Sequence, residues 1–328
     1  MKRVLTFLLT SVVIFLAIAI GLIFSDRPKG PLSAETGLDF SDEVSRGGAR
    51  TLTAITFLGD DGSPLVAFEK QSGAVDPPLL ILVHGSGWHS LQFDTLAQDL
   101  SEVADVISPD LRGHGTAPER RGDVDYIGQL EDDLAALIRA KKKPGQKVVL
   151  AGHSSGGGLV VRFAGGKHRD LIDGAILMAP FLKYNAPTTR PNSGGWARPL
   201  TRRIIGLSML NAVGIRLLNH LTVIEFRMPE VVRSGPLGDS VTDAYSFRLN
   251  TSFAPRPDYE SDISALPEFL LVVGSADEAF VAEQFEPLMS ALTDKGQYKV
   301  IDGVNHLGVV HAPETNAAIR GFLDRLAK

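Results

Sequence analysis

The sequence contains no cysteine among its 328 residues, and this absence removes two classes of site at once. A chain without thiols forms no disulfide bonds, and it has no cysteine nucleophile. The absence leaves the compartment open, because many exported proteins also lack cysteine.

Several signatures of cofactor and metal sites are missing as well. The chain has no G-x-G-x-x-G or P-loop motif, no H-E-x-x-H motif, no internal repeat and no long low-complexity tract. His84 and His89 suggest a metal pair, but no further ligand pattern supports one. The net charge of −5, with both signs interspersed, gives no basis for nucleic-acid binding. The sequence therefore predicts no cofactor, no metal and no nucleic-acid partner.

What the chain does contain is the motif Gly-His-Ser-Ser-Gly at residues 152–156, between an apolar run at 147–151 and a helical pattern at 157–163. This order predicts a strand, a sharp turn and a helix, with Ser154 at the turn. The flanking glycines keep side chains away from the neighbouring strand and helix, and the helix directs its free N–H groups toward the turn. Ser154 is the expected nucleophile, rather than Ser155, because the pattern centres on it. An ordinary strand-to-helix turn is the alternative.

A carboxylate and a histidine follow in the order that such a serine requires. Asp277 comes just after an apolar strand pattern at 270–273, and His306 comes after a second one at 298–301. Because the carboxyl ends of parallel strands meet at one edge of a sheet, these two side chains and Ser154 are expected to lie together.

The expected roles of His306 and Asp277 follow from how each side chain takes up, releases or holds a proton. His306 can remove the proton of Ser154 during attack and return it to the leaving group, since histidine as a residue type exchanges protons near neutral pH. Asp277 would hold the imidazole in one tautomer and stabilise the imidazolium. Glu278 is the rival carboxylate, but its side chain would leave the strand end in another direction. His311 is interpreted as a structural residue that opens the last helix.

An oxyanion-binding site is expected beside Ser154. The apolar run at 79–83 ends in His-Gly-Ser-Gly at 84–87, where glycines let the backbone approach closely. The backbone N–H of Ser155 is one predicted donor, and the N–H of Ser86 is the second, with Gly87 as the alternative to Ser86.

Together these motifs resemble the serine-hydrolase branch of the α/β-hydrolase superfamily, in particular the monoacylglycerol lipase/lysophospholipase-like group. The resemblance spans roughly residues 50–328 and rests on these segments: 84–90, 110–115, 152–156, 274–277 and 305–306. Ser155 departs from the group, many members of which carry methionine there. The likeness implies an α/β-hydrolase fold: a mostly parallel sheet with helices on both faces and a helical cap insertion at about residues 183–266.

The implied function is hydrolysis of a carboxylic ester, with a lipophilic acyl group, through an acyl-enzyme intermediate. The substrate would be a lipid or small-molecule ester such as a monoacylglycerol, a lysophospholipid or a short-chain carboxylester. Thioesterase, amidase and acyltransferase reactions use the same machinery and stay open, as do the acyl length, the head group and the oligomeric state. A non-catalytic binding protein of this fold is the other class of function.

The amino terminus predicts a membrane segment. Residues 4–24 carry no charge and follow Lys2 and Arg3, and 21 helical residues span about 30 Å, the thickness of a bilayer core. The expectation is an N-terminal transmembrane helix acting as an uncleaved signal anchor over residues 1–26, with the enzyme outside the cytoplasm. A signal cleaved after the Ala-Ile-Ala at 17–19, giving a secreted protein, is the alternative.

A linker at 27–50 and a hydrolase domain at 51–328 complete the predicted organisation. The cap is expected to contain one or two helices over 202–224 that form an acyl pocket. The other predicted elements are a hairpin at 51–57 and 65–69, strands at 79–83, 106–108, 147–151, 175–179, 269–273 and 298–301, and helices at 93–103, 126–141, 279–292 and 314–326.

Overall fold

A computed structural model gives the structure of the protein and describes residues 1–32, 37–46 and 50–326. Residues 33–36 and 47–49 of the predicted linker, and 327–328 of the predicted hydrolase domain, lie outside the described residues. The strands are β1 Thr53–Leu58, β2 Pro64–Lys70, β3 Leu79–Val83, β4 Asp105–Pro109, β5 Val148–His153, β6 Gly174–Met178, β7 Ala197–Pro199, β8 Thr222–Phe226, β9 Ala244–Ser246, β10 Glu268–Gly274 and β11 Gly296–Ile301. The helices are α1 Lys2–Ser25, α2 Ser41–Arg46, α3 Asp94–Leu100, α4 Gln129–Lys141, α5 Ser155–Ala164, α6 Thr201–Ala212, α7 Glu230–Arg233, α8 Phe247–Phe253, α9 Tyr259–Ser264, α10 Phe285–Ser290 and α11 Pro313–Leu326.

The central sheet has eight strands in the order β1-β2-β4-β3-β5-β6-β10-β11. β1 and β2 form the predicted hairpin and β2 pairs antiparallel with β4, whereas every pair from β4 to β11 is parallel. Every residue of β3, β5 and β6 is buried, as expected of parallel strands covered by helices on both faces. The predicted mostly parallel sheet is therefore confirmed.

The prediction of a helix over 279–292 is wrong in its first part. There the backbone is bound to another segment: the Val281 N–H donates to the Thr188 carbonyl at 2.9 Å, and the Ala279 carbonyl accepts from the Arg190 N–H at 3.0 Å. These bonds replace the intrahelical ones, so the α-helix begins only at Phe285. A local pattern cannot show a pairing between segments about ninety residues apart.

The cap lies between β6 and β10 and contains a three-stranded antiparallel sheet, β7-β8-β9, beside helices α6 to α9. The helix predicted within 202–224 is confirmed where α6 lies, but the last part of that segment is not helical. Gly214 adopts a positive φ of 82° just after α6, and the chain then returns as β8. β8 is stabilised by pairing with β7 and β9, which the local apolar pattern does not reveal.

Helix α1 is long and apolar enough to cross a membrane, a property that signal sequences share. Its residues 1–14 are exposed, whereas its last turns pack on the cap helix α6. Ala19 and Ile23 are buried against Leu207, and the Arg203 Nε donates to the Ile23 carbonyl at 3.0 Å. Gly206 permits this contact, because a Cβ there would clash with the Ala19 carbonyl oxygen. The cap and the N-terminal helix therefore share a small apolar core.

Candidate active site

Ser154 lies in the sharp turn between β5 and α5. Its φ of 54° and ψ of −122° are rare for a residue with a side chain, and this strain is typical of functional turns. A Cβ on Gly152 would clash with the Gly156 carbonyl, and one on Gly156 would clash with the Val83 carbonyl. The turn is therefore tight enough that both flanking positions require glycine, as the sequence predicts.

Asp277 and His306 follow the ends of β10 and β11 and form a buried hydrogen-bonded pair. The His306 Nδ1 donates to the Asp277 Oδ2 at 2.8 Å, and both side chains are at most 1% exposed. The other carboxylate oxygen accepts the N–H groups of Ala279 and Phe280, each at 2.8 Å. Because Asp277 holds the proton on Nδ1, the Nε2 atom of His306 is left as the basic nitrogen.

Ser154, His306 and Ser86 line one cavity of about 60 Å³ beneath the cap. The structure thus brings together residues that are up to 220 positions apart in the chain. Most of the remaining lining is apolar or aromatic: Phe181, Trp196, Ala197, Ile224, Phe226, Phe253, Ala279 and Phe280. The site combines a strained serine, a carboxylate-oriented histidine and an apolar cavity.

Two backbone donors lie free beside the serine. Within the described residues, the N–H groups of Ser86 and Ser155 have no hydrogen-bond acceptor, and Ser155 opens α5, where the first N–H groups have no intrahelical partner. The Gly87 N–H, in contrast, donates to the Tyr245 hydroxyl at 2.7 Å. That bond supports Ser86 over Gly87 as the second donor to an oxyanion.

Comparison with known proteins identifies the family of the chain. The profile of the Hydrolase_4 family, described as serine aminopeptidase, S33, matches residues 77–309. The chain belongs to this family. It is 26% identical to rat monoglyceride lipase over 257 residues, which are 76% of this chain and 82% of that protein. Uncharacterized mycobacterial relatives, such as Rv2715 of Mycobacterium tuberculosis, are 32% identical over 105 residues, and the match spans only 29% of their length.

Solved structures share the fold of this Hydrolase_4 chain at low sequence identity. A soluble variant of monoglyceride lipase from Saccharomyces cerevisiae, in complex with a substrate analog, has a TM-score of 0.61 and 17% identity, over 86% of this chain and 97% of that one. A bacterial membrane phospholipase A has a TM-score of 0.59 and 18% identity over the whole of both chains. The α/β-hydrolase fold expected from the sequence is therefore confirmed.

The backbone of His306 is clamped by two residues for which the sequence predicted no such role. Its N–H donates to the Glu278 Oε2 at 2.8 Å, and its carbonyl accepts from the His153 Nε2 at 2.9 Å. Glu278 follows Asp277 in the chain, and His153 precedes Ser154. The rival carboxylate considered above therefore binds the main chain of His306, while Asp277 binds its ring. Adjacency to the other two site residues is the one sequence signal for this role.

Gln92 connects this clamp to the loop that carries Ser86. Its Nε2 donates to the His153 Nδ1 at 2.8 Å, and its Oε1 accepts from the Gly85 N–H at 3.2 Å. The Gly85 N–H can only donate a hydrogen bond, and the His306 carbonyl can only accept one. The Gln92 Nε2 is therefore the donor to the His153 Nδ1, and the proton of His153 lies on Nε2. A defined chain of hydrogen bonds therefore runs from the Gly85 loop to His306.

A second network reaches the same loop from the cap. Tyr245, in β9, accepts from the Gly87 N–H and lies 2.7 Å from the His114 Nε2, to which its hydroxyl donates. The His114 Nδ1 in turn donates to the Arg112 carbonyl at 3.1 Å. The segment at 110–115, which the sequence analysis connected with the family resemblance, thus supports the Gly85–Gly87 loop through a cap residue.

Four buried histidines near the site are held neutral. Burial lowers the pKa of His84, and it lowers the pKa of His114 and His153 well below the usual value of 6.5. Burial likewise lowers the pKa of His89 to about 3. The two hydrogen-bond networks described above need His153 and His114 uncharged, because one ring nitrogen of each histidine accepts a hydrogen bond. His311 is also packed, with its Nε2 2.6 Å from the Glu43 Oε1.

We expect the free energy of unfolding to fall as the pH drops below about 6.5. The unfolded chain binds protons at these four histidines there and the folded chain does not, so stability is lost toward acid. Each histidine contributes at most about 1.4 kcal/mol per pH unit, and all four together at most about 6 kcal/mol per pH unit. Urea unfolding at pH 7.5 and 5.5 measures this slope. His89→Gln should reduce the slope by about a quarter, and the exposed His220→Gln should leave it unchanged. A free energy of unfolding that is the same at pH 7.5 and 5.5 would contradict the conclusion that these histidines are neutral in the folded protein.

Proposed function

We propose that this protein is a serine hydrolase that cleaves carboxylic esters with a lipophilic acyl group. Ser154 is the nucleophile, His306 the general base and acid, and Asp277 the carboxylate that orients His306. The observation that carries the proposal is the meeting of the strained Ser154 with the His306–Asp277 pair at one apolar cavity.

The proposed reaction has two halves. In the first, the His306 Nε2 takes the hydroxyl proton as the Ser154 oxygen attacks the ester carbonyl, and the N–H groups of Ser86 and Ser155 bind the resulting oxyanion. The alcohol leaves with the proton from Nε2, and the acyl group stays on Ser154. In the second half, water gives a proton to Nε2 and attacks the acyl-enzyme. Nε2 then returns that proton to the Ser154 oxygen as its bond to the acyl carbon breaks, which releases the carboxylic acid and restores the Ser154 hydroxyl.

The substrate class follows from the lining of the cavity and from the relatives. Aromatic and aliphatic side chains dominate the wall, so burial of an acyl chain there is favourable. The rat and yeast relatives are monoglyceride lipases, and monoacylglycerols, lysophospholipids and carboxylesters all present an acyl chain on an alcohol. No metal or cofactor is needed for this chemistry.

We further propose that α1 is an uncleaved signal anchor over residues 1–26 and that the hydrolase domain, 51–328 with its cap at about 183–266, lies outside the cytoplasm. The exposed apolar surface of residues 1–14 supports insertion in a bilayer, because such a surface is unfavourable in water. Lipid esters concentrate at the membrane, so this placement suits the proposed substrate.

An acyl-length series tests the substrate class. For p-nitrophenyl esters, kcat/KM should rise with acyl length until the pocket is full, by about tenfold for two added carbons at about 0.8 kcal/mol per buried CH₂. Of the cap segment at 202–224, Ile224 lines the cavity, so Ile224→Asp should flatten the series while acetate esters are spared. Val231→Asp, on the exposed face of α7, is the matched control. Activity that is highest on acetate and falls with length would exclude a lipid substrate.

A further inference from the structure

Residues 37–46, one of the described parts of the segment between α1 and the hydrolase domain, pack over the active site. Phe40 is 5% exposed, and its ring lies 5.3 Å from that of Trp88 and 5.5 Å from that of Trp196. Gly37 lies against the backbone of Trp196, where an added Cβ would be 3.6 Å from the Cα. Through Phe40, this described part of the predicted linker belongs to the molecule's aromatic core.

Polar contacts hold the same segment at two points. The Asp39 N–H donates to the Glu278 Oε1 at 3.3 Å, and the opposite oxygen of Glu278 binds the N–H of His306. Four residues on, Glu43 is buried and its Oε1 lies 2.6 Å from the His311 Nε2. Residues 37–46 are thus connected through one carboxylate to the proposed catalytic histidine.

Phe40 and Leu38 line a second, smaller cavity that also contacts Ser86, Ser154 and His306. Its volume is about 10 Å³, at the lower limit for a single water molecule. The 60 Å³ cavity lies against the same three residues. The nucleophile therefore borders two cavities, and the Phe40 side chain lines the smaller one.

We infer that Phe40 is a specificity-determining residue: its ring limits the size of the alcohol group that an ester can place beside Ser154. The inference rests on the proposed ester hydrolysis. In that reaction the lipophilic acyl chain needs the larger, apolar cavity, so the alcohol is left with the smaller one. A segment that begins at the anchor helix would then restrict which esters the enzyme accepts.

The test compares Phe40→Ala with the wild type in the full-length protein in detergent micelles. One series keeps a butyryl group and varies the alcohol from methanol to propanol, glycerol and benzyl alcohol, and the other keeps p-nitrophenol and varies the acyl length. Phe40→Ala should raise kcat/KM for the benzyl ester relative to the methyl ester by about tenfold, the size expected when a pocket gains room for a substrate group. The trend in the acyl series should stay as in the wild type.

Phe57→Ala is the matched control, because Phe57 is equally buried but lies in β1, outside both cavities. Phe57→Ala should leave the benzyl-to-methyl ratio and the acyl-length trend unchanged. Its thermal melt shows how much stability the protein loses when a buried aromatic ring is removed. If Phe40→Ala does not fold, Phe40→Leu should give a smaller shift in the same direction, and thermal melting separates the two effects.

An unchanged alcohol ratio in a folded, Ser154-dependent Phe40 variant would overturn the inference and leave the proposed function standing. A shift confined to the acyl series would overturn the assignment of the small cavity to the alcohol. Absence of any Ser154-dependent ester turnover in the wild type would overturn the proposed function itself.

Discussion

Ser154→Ala should remove essentially all ester hydrolysis while leaving the fold intact, with turnover lower by about 10⁴–10⁶. Without the hydroxyl no acyl-enzyme can form, and the remaining cavity and N–H donors supply only weak catalysis. Alanine adds no atom to the tight turn, so neither Gly152 nor Gly156 is disturbed. Turnover of p-nitrophenyl butyrate and labelling by a fluorophosphonate probe measure the loss, and circular dichroism with thermal melting checks the fold.

Ser155→Ala is the control that separates the two adjacent hydroxyls. The proposed role of Ser155 uses its backbone N–H, which alanine keeps, so activity should stay within a few-fold of the wild type. Probe labelling that persists in Ser154→Ala, or that moves to Ser155, would show that Ser154 is not the nucleophile.

Asp277→Asn should lower kcat/KM by about 10⁴. The asparagine amide can donate to the His306 Nδ1, which favours the tautomer with its proton on Nε2. That nitrogen then cannot accept the Ser154 proton. The loss arises from the changed position of the proton on His306. Because asparagine and aspartate have nearly the same volume, the fold should be preserved, and a thermal melt would verify this.

Glu278→Gln is the paired comparison, because Glu278 adjoins Asp277 and also contacts His306. It binds the main-chain N–H of His306, not the ring. Glutamine keeps one carbonyl oxygen for that bond, so the loss should be less than about tenfold, small beside the removal of the orienting carboxylate. If the two variants rank in the opposite order, the orienting role belongs to Glu278.

The outline of the site could be predicted from the sequence because its signals are local. A strand pattern followed by Asp277, another followed by His306, and glycines on both sides of Ser154 each occupy a few consecutive residues. The structure places all three side chains at the same edge of the sheet, since parallel strands bring their carboxyl ends together. The choice of Asp277 over Glu278 follows the same logic and agrees with the observed hydrogen bond to the imidazole.

Other parts of the site depend on partners far away in the chain. The Gly87 N–H is occupied by Tyr245, 158 positions later, and this contact supports Ser86 as the proposed oxyanion donor. The clamp on His306 joins side chains that precede it by 153 and 28 positions. A hydrogen bond of this kind depends on two backbones meeting, and no pattern within either segment specifies that meeting.

The difference between local signals and contacts with distant segments also separates the correct from the incorrect predictions of secondary structure. The strands of the central sheet were predicted because each is a continuous buried apolar run, which is a property of the strand alone. The start of the predicted helix at 279 and the end of the predicted cap helix at 224 were wrong, because in both places pairing with a distant segment outweighs local helical preference.

By itself the sequence determined the fold class, the order of the proposed catalytic residues and the apolar character of the N-terminal helix. Each of these is encoded in short runs whose periodicity and polarity have one favourable arrangement. Only the tertiary structure decided that α1 packs on the cap, that Phe40 and Ser154 line the same small cavity and that Glu278 holds the main chain of His306. These contacts form when remote segments bury apolar surface together, and that free energy belongs to the packed molecule rather than to any one segment.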